Sequence, residues 1–205
     1  MVIDYCHEIL NKYNLKSTWF VTHKTTKTLE LYDDENIETG LHPNFNDLLF
    51  IKNIGMDSKS VLDTLINDFP KAKTVRSHSL TQNERLIDLF CDYGLTNVCN
   101  LFVPFGVSNL NPYRLWNNAV IIPHCYQDNV SFKIDHNLRD LEVSKNKFIV
   151  LLIHPIHLFI NTCSLQHYES CRLHFNNPSK LIDLRNKEFG IRDLFVEFLD
   201  TYLYE

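Results

Sequence analysis

Short strand-like runs alternate with segments of helical periodicity along this chain, and the alternation limits the folds open to it. The first strand-like run, at 17–22, is rich in β-branched and aromatic residues and follows a helical segment at 2–13. Further strands are predicted near 37–41, 74–77, 95–99, 119–122 and 147–153, and further helices near 58–69, 82–93, 165–175 and 191–202. Such alternation is typical of a parallel sheet with crossover helices, so we predict an α/β fold.

The length of 205 residues favours a single domain that spans the chain. No linker rich in Gly, Ser or Pro divides the sequence, and no internal repeat is visible. The chain opens on a helix, although in folds of this kind a strand normally comes first. We therefore expect a single domain, 1–205, that lacks its first strand.

Composition excludes several functional classes. The net charge of -5 gives no basic surface for phosphates, and the five glycines form no nucleotide-binding loop, so a nucleic-acid partner is not expected. The longest apolar run, 148–153, is too short to span a membrane, and no secretory signal is recognisable, which predicts a cytoplasmic protein. The six cysteines form no CxxC pair and are interpreted as buried thiols.

Four histidines follow predicted strands: His23, His42, His78 and His154. The carboxyl ends of parallel strands are where ligand-facing residues collect, and imidazole both binds zinc and exchanges protons near neutral pH. The positions indicate a metal-assisted or acid–base site. The alternative, which spacing alone favours slightly, is that these histidines are half-buried and bond to loop carbonyls. Three further histidines, His136, His167 and His174, lie in polar or helical contexts and are expected to be solvated.

Arg76 lies inside a strand-like segment, and a buried guanidinium requires a partner, for which Asp128 is the candidate. Arg76 would then orient a catalytic carboxylate; the alternative is a surface arginine on an edge strand. His154 follows a buried strand directly, and Pro155 favours an extended backbone at His154, which fixes the direction of its side chain.

Four segments occur in a recognisable order: KSTWFVTH at 16–23, ETGLHPNFN at 38–46, VRSHSL at 75–80 and IHPIH at 153–157. Together they resemble the NodB-type polysaccharide deacetylases, and within them the WbmS-like branch. The resemblance covers essentially the whole chain. It implies a distorted (β/α)7 barrel and a hydrolase that uses a metal, commonly zinc, to remove an N-acetyl group from an amino sugar. The implied partner is an N-acetylated sugar or a polysaccharide precursor.

The resemblance also assigns residues. His42 and Asn46 match the family's His-x-x-x-His metal ligands, and His78 or His23 would support them because an amide oxygen is a weaker zinc ligand than imidazole. His154 matches the acid that protonates the leaving amine, and Arg76 matches the arginine that positions the base. In the family an acid and an aromatic residue flank the acetyl pocket, and Asp128 and Tyr126 match them. Asp128 is assigned a catalytic role. His23 and His157 are assigned to the substrate pocket together with Tyr126.

One family feature is missing from this sequence, the Asp-containing motif of the first strand that supplies a base and a metal ligand. Asp4 is expected in the first turn of a helix, where a carboxylate favours the helix dipole. Either the true start lies upstream or the gene is truncated, or the protein has lost catalysis and retains a sugar-binding pocket. The first is favoured, because loss of a strand would expose a sheet edge. The leading hypothesis is therefore a deacetylase-like enzyme impaired in this form. The alternatives are a non-catalytic sugar-binding protein of a polysaccharide assembly system and an unrelated metallohydrolase.

Overall fold

The computed structural model describes residues 1–49, 57–104, 110–143 and 148–203. The helices are α1 (Val2–Lys12), α2 (Thr26–Tyr32), α3 (Asn46–Leu49), α4 (Ser58–Asp68), α5 (Glu84–Asp92), α6 (Asp128–Ile134), α7 (Pro155–Ile160), α8 (Leu165–Arg172), α9 (Pro178–Asp183) and α10 (Ile191–Leu203). The strands are β1 (Ser17–Val21), β2 (Ile37–Leu41), β3 (Thr74–Val75), β4 (Asn97–Val98), β5 (Tyr113–Arg114), β6 (Val120–Ile121), β7 (Tyr126–Gln127) and β8 (Leu151–Leu152). Two 3₁₀ turns, His78–Leu80 and Leu138–Asp140, complete the elements described.

The chain folds into two compact units. The sheet unit consists of Lys16–Leu101 and Asn111–Pro123 and contains β1 to β6. The helical unit consists of Met1–Leu15, Phe102–Leu110 and His124–Glu205 and contains β7 and β8. A single domain over 1–205 stays a prediction.

The sheet unit has one six-stranded sheet in the order β1-β2-β3-β4-β6-β5. All neighbours pair in parallel except β5, which pairs with β6 as an antiparallel hairpin. The longest register joins β1 to β2 from Ser17↔Ile37 to Val21↔Leu41. Parallel strands present their carboxyl ends at one edge, so this order brings the residues that follow β1, β2 and β3 to the same edge.

Side-chain burial holds the sheet unit together more than its short strands do. Leu41, Val75 and Val98 are fully buried on the sheet, and Leu62 of α4 and Phe90 of α5 are fully buried against the same cluster. Each such side chain contributes about 1.5–3 kcal/mol by leaving water, whereas a net hydrogen bond contributes about 0.5–1.5 kcal/mol. Since β3, β4 and β6 have two residues each, their ladders are the smaller contribution.

The helical unit pairs β7 and β8 in parallel, with Tyr126 opposite Leu151. Its helix α7 begins with Pro155 at a first-turn position, where a missing N–H carries no penalty, and ends at Asn161, which adopts a left-handed conformation with φ 52°. The Asn161 side chain donates to the carbonyl oxygens of Asn186 and Glu188 and to Asp193. These bonds fix the end of the helix that begins next to His154.

The predicted parallel α/β organisation is confirmed, and the strand predicted at 37–41 has the observed bounds of β2. The strand predicted at 147–153 is reduced to β8, with Lys147 outside the described residues. The helical spacing does not predict α2, α3, α6, α7 or α9, although Thr25 and Pro155 are start signals for α2 and α7. Closure into a seven-stranded barrel stays a prediction. Across the part of the chain that is described, no helix is both long and apolar enough to cross a bilayer.

Candidate functional site

The strand ends of the sheet unit place a buried arginine at the carboxyl edge. Arg76 follows β3, and its backbone N–H continues the ladder by donating to the Leu41 carbonyl oxygen at 2.9 Å. Its Nε donates to the Cys99 carbonyl oxygen at 3.0 Å, and its guanidinium lies 4.4 Å from the centre of the Phe20 ring. Phe20 pairs with Gly40, where a Cβ atom would approach its ring to 2.7 Å. A side chain at position 40 would therefore displace the ring on which Arg76 rests.

Burial distinguishes the two interpretations of Arg76. The residue is 8% exposed, and burial lowers the pKa of its guanidinium to about 10, which leaves it charged at neutral pH. The interpretation as a surface arginine on an edge strand is wrong, because β3 lies between β2 and β4. Its partners in the sheet unit are a carbonyl oxygen and an aromatic face. The predicted pairing with Asp128, a residue of the helical unit, stays a prediction.

Three predicted metal ligands lie in the sheet unit. The rings of His42, directly after β2, and His78, in the turn after β3, have centres 5.5 Å apart. The His78 backbone N–H donates to the Pro43 carbonyl oxygen, and Asn46 Nδ2 donates to Ser79 Oγ at 3.2 Å, which ties the two loops together. Zinc–imidazole bonds are about 2.0–2.1 Å long, so two rings that share an ion have centres about 5–6 Å apart. The observed distance between ring centres is compatible with two imidazoles on one zinc-like ion, and the assignment of His42, His78 and Asn46 as its ligands stays a prediction.

His23 is exposed at the end of β1, where its Nδ1 hydrogen-bonds to Thr22 Oγ1 at 2.8 Å. Its carbonyl oxygen accepts a hydrogen bond from Thr28 Oγ1 in α2. Both contacts hold the residue to its own loop. A role for His23 in a substrate pocket stays a prediction.

The helical unit contains a buried carboxylate that holds a histidine. Asp128 follows β7 and is fully buried, and His154 lies two residues beyond β8. Asp128 Oδ2 accepts from the His154 backbone N–H at 2.5 Å, and Oδ1 bonds to the His154 Nδ1 at 2.6 Å. Oδ1 also accepts from the Asn129 backbone N–H at 2.7 Å. The carboxylate thus fixes both the backbone and the ring of His154, whose side chain is 41% exposed.

His157 lies beneath this pair and is fixed separately. Its Nδ1 hydrogen-bonds to Thr162 Oγ1 at 2.8 Å, and its ring lies 5.7 Å from the His154 ring, edge to face. The Tyr168 ring covers it at 4.7 Å. Burial lowers the pKa of His157, so the neutral imidazole is favoured in the folded protein.

Asp128, His154 and His157 each offer a ligand atom within 4.8 Å of the others, so the three could also form a metal site. Two atoms that share a tetrahedral zinc ion lie about 3.3 Å apart. The Asp128 and His154 atoms, at 2.6 Å, are closer than that and have the geometry of a hydrogen bond. The arrangement is therefore that of a carboxylate orienting an imidazole, as in acid–base catalysis.

Tyr126 is the first residue of β7, two residues before Asp128, and is fully buried. Burial raises the pKa of its hydroxyl to about 12, and the nearby Ser131 opposes this rise. Ser131 directs its own hydroxyl to the Asp128 carbonyl oxygen, and the Tyr126 hydroxyl has no hydrogen bond of normal geometry to a described residue. Contact of Tyr126 with a substrate stays a prediction.

Comparison with known proteins decides the family. The family model described as "WbmS-like: Polysaccharide deacetylase" matches residues 1–172. The chain belongs to this family. A crystal structure from Bordetella bronchiseptica, described as that of a candidate polysaccharide deacetylase involved in O-antigen biosynthesis, is similar with 31% identity and a TM-score of 0.85. The match covers 98% of this chain and 84% of that one. No curated protein matches the sequence.

Family membership does not test the roles of individual residues, which stay predictions. The predicted site residues fall into two groups, one in each unit. The sheet unit brings together Arg76 and the three proposed metal ligands, and the helical unit brings together Asp128, His154 and His157. Sequence reasoning missed Thr162, the partner of His157, and Ser79, the partner of Asn46. Both contacts depend on which loops meet, and neither has a sequence signal.

Two expectations about polar residues need correction. His136 is buried rather than solvated, because its Nε2 bonds to the Cys125 carbonyl oxygen and its ring packs against Tyr126. His167 and His174 are half-buried, and the Nε2 of His167 bonds to the Leu184 carbonyl oxygen at 2.9 Å. All six cysteines are free thiols, but only Cys6, Cys99 and Cys171 are buried, whereas Cys91 and Cys125 are half-buried and Cys163 is exposed. Asp4 lies in the first turn of α1, as predicted.

Proposed function

We propose that this protein is a metal-dependent carbohydrate deacetylase that removes an N-acetyl group from an amino sugar of a surface polysaccharide. The observation that carries the proposal is the Asp128–His154 pair, because it gives a half-exposed imidazole a fixed direction. Hydrolysis of an N-acetyl group requires a proton on the departing nitrogen, and an oriented imidazole is the commonest donor of that proton.

The reaction adds water to the acetyl carbon, breaks the C–N bond and yields acetate and an amine. His154 donates the proton that the amine requires, and Asp128 stabilises the imidazolium before transfer. The attacking water releases one proton to solvent, and after transfer the neutral His154 regains a proton from solvent, which balances the reaction. The neutral His157 places no second positive charge beside the His154 ring.

Residues of the sheet unit complete the proposed machinery. His42, Asn46 and His78 would hold a zinc-like ion, which supplies polarisation of the acetyl carbonyl and activation of water when bound. Arg76 keeps its charge and would orient the carboxylate of a base. His23 of the sheet unit, and separately Tyr126 and His157 of the helical unit, are proposed to contact the substrate. A cytoplasmic location is also proposed.

We expect catalysis by this form to be slow. Among the described residues, one group of three His, Cys, Asp or Glu side chains could hold an ion, and it consists of Asp128, His154 and His157. Within the described part of the chain, His42 and His78 therefore have no third ligand of these types. A site of two imidazoles and a neutral amide binds zinc more weakly than one with a carboxylate. The same observation favours the second candidate, a non-catalytic sugar-binding protein.

The decisive experiment measures acetate released from N-acetylated oligosaccharides, with added zinc and with a chelator. We expect slow release that zinc stimulates, that the chelator abolishes and that His154→Gln reduces to background. His174→Gln, a half-buried histidine elsewhere in the helical unit, is the matched control and should keep the rate. Equal release by His154→Gln would contradict the assigned acid. Saturable sugar binding without any release by the unmodified chain would favour the second candidate.

A further inference from the structure

An open cavity of about 370 Å³ lies in the sheet unit. The residues that line it come after the proposed metal ligands in the sequence. Its volume falls in the range of small-molecule sites, which is about 300–1,000 Å³. The apolar lining comes from Ile87, Leu115 and Trp116. The polar lining comes from Gln82, Asn83, Glu84 and Asn117. The cavity therefore combines an aromatic face with amide and carboxylate groups.

Trp116 is 75% exposed, yet its position is held by the turn that carries it. The turn joins β5 to β6, and the Leu115 backbone N–H donates to the Ala119 carbonyl oxygen at 2.8 Å. Asn117 Nδ2 donates to Asp88 Oδ1 in α5 at 2.6 Å, and Asn117 Oδ1 accepts from the Ala119 backbone N–H. The hairpin turn is thus anchored to the helix that forms the opposite part of the cavity lining, and a large indole face remains in solvent.

The polar groups on the α5 side are available to a ligand. Neither Gln82 nor Glu84 makes a side-chain hydrogen bond to another described residue. Asn83 uses its Oδ1 to accept from the Leu86 backbone N–H, which leaves its Nδ2 as a donor. Amides and a carboxylate match the hydroxyl groups of a sugar, and the indole matches the apolar C–H face of a sugar ring.

The lining also discriminates against other ligands. It contains no lysine or arginine among the described residues, which disfavours phosphates and nucleotides. Four of its seven side chains are polar, which disfavours a purely apolar ligand. A neutral saccharide fits both conditions.

We propose that the cavity bordered by Trp116 is an accessory binding site for a sugar unit of a glycan. Gln82 follows His78 by four residues, and buried Asn100 holds this connection by donating to Ser77 Oγ and the Thr81 carbonyl oxygen. The connection joins the cavity to the loop that bears a proposed metal ligand. The assignment of a glycan as ligand rests on the proposed function, but binding is measurable without catalysis.

The chain has two tryptophans, so Trp19→Phe leaves Trp116 as the only indole and makes its fluorescence a direct reporter. Triacetylchitotriose is the probe, in the presence of a chelator to silence hydrolysis. We expect a saturable change in Trp116 fluorescence and the same affinity for the unmodified chain and Trp19→Phe by calorimetry. Trp116→Ala should weaken binding about tenfold, and Gln82→Ala should weaken it less.

Circular dichroism and the melting temperature of each variant show that folding is retained, which the exposure of Trp116 leads us to expect. No fluorescence change at millimolar probe would overturn the proposal, as would unchanged binding by Trp116→Ala. Binding through Trp116 without acetate release from any N-acetylated sugar would retain this site and reject the deacetylase function. Acetate release that Trp116→Ala leaves unchanged would retain the deacetylase function and reject this site.

Discussion

Replacement of Asp128 by Asn removes one acceptor oxygen from a fully buried group while keeping its shape. The two carboxylate oxygens accept three hydrogen bonds, two from His154 and one from the Asn129 backbone N–H. If the amide NH₂ replaces Oδ2, it faces the His154 backbone N–H; if it replaces Oδ1, it faces the Asn129 backbone N–H. In both orientations at least one buried donor loses its acceptor.

An unpaired buried donor costs about 1–3 kcal/mol, and hydrogen bonds to a charged acceptor lie in the upper part of that range. We therefore expect Asp128→Asn to lower the free energy of unfolding by about 1.5–3 kcal/mol. With a urea m-value of about 2 kcal/mol/M, the unfolding midpoint falls by about 1 M. The loss of the group that orients His154 should also reduce acetate release by at least about 100-fold.

Urea unfolding followed by circular dichroism measures the first effect, and the acetate assay measures the second. The matched control is Asp57→Asn, because Asp57 is exposed and accepts one backbone hydrogen bond, from Ser60 at the start of α4. Asn is also a favourable residue at that position, so the control should unfold near the midpoint of the unmodified protein. An unchanged midpoint for Asp128→Asn would refute the proposed hydrogen bonding of the carboxylate.

Three further predictions concern other parts of the chain. Burial lowers the pKa of His157 in the folded state, so the unfolded state binds the proton first and stability should fall as the pH drops below about 6.5. Urea unfolding of His157→Gln should show a smaller loss over that window, and an equal loss would exclude His157 as its source. Gly190→Ala should lower the melting temperature, because its Cβ would overlap the Asn161 carbonyl oxygen. His42→Ala should weaken zinc binding measured by calorimetry, whereas unchanged affinity would place the ion elsewhere.

Much of the sheet unit is predictable because its signals are local. The strand at 37–41 and the helix starting at Ser58 show in the sequence as a β-rich run and a helical period with a capping residue. The same logic places residues that follow parallel strands at one edge, and in the structure His42 follows β2 and Arg76 follows the neighbouring strand β3. A resemblance over four segments also identifies the family correctly.

Other features have weaker local signals or none. Helix α7 starts with Pro155, but its short run next to a histidine motif resembles a loop. The polar sequence neighbours of His136 predict a solvated side chain, yet it bonds to the carbonyl oxygen of Cys125. Trp116 has no special sequence context, and its exposure depends on the anchorage of the turn to α5.

The sequence alone determined the alternation of strands and helices, the family, and the placement of His154 directly after a strand, because each depends on spacing along the chain. Only the tertiary structure decided that Asp128, 26 residues earlier, holds that histidine by its backbone and its ring. It also decided that the Arg76 guanidinium lies buried against Phe20. Contacts of this kind join segments that are distant in sequence, so they form only when packing has brought the strands and loops together.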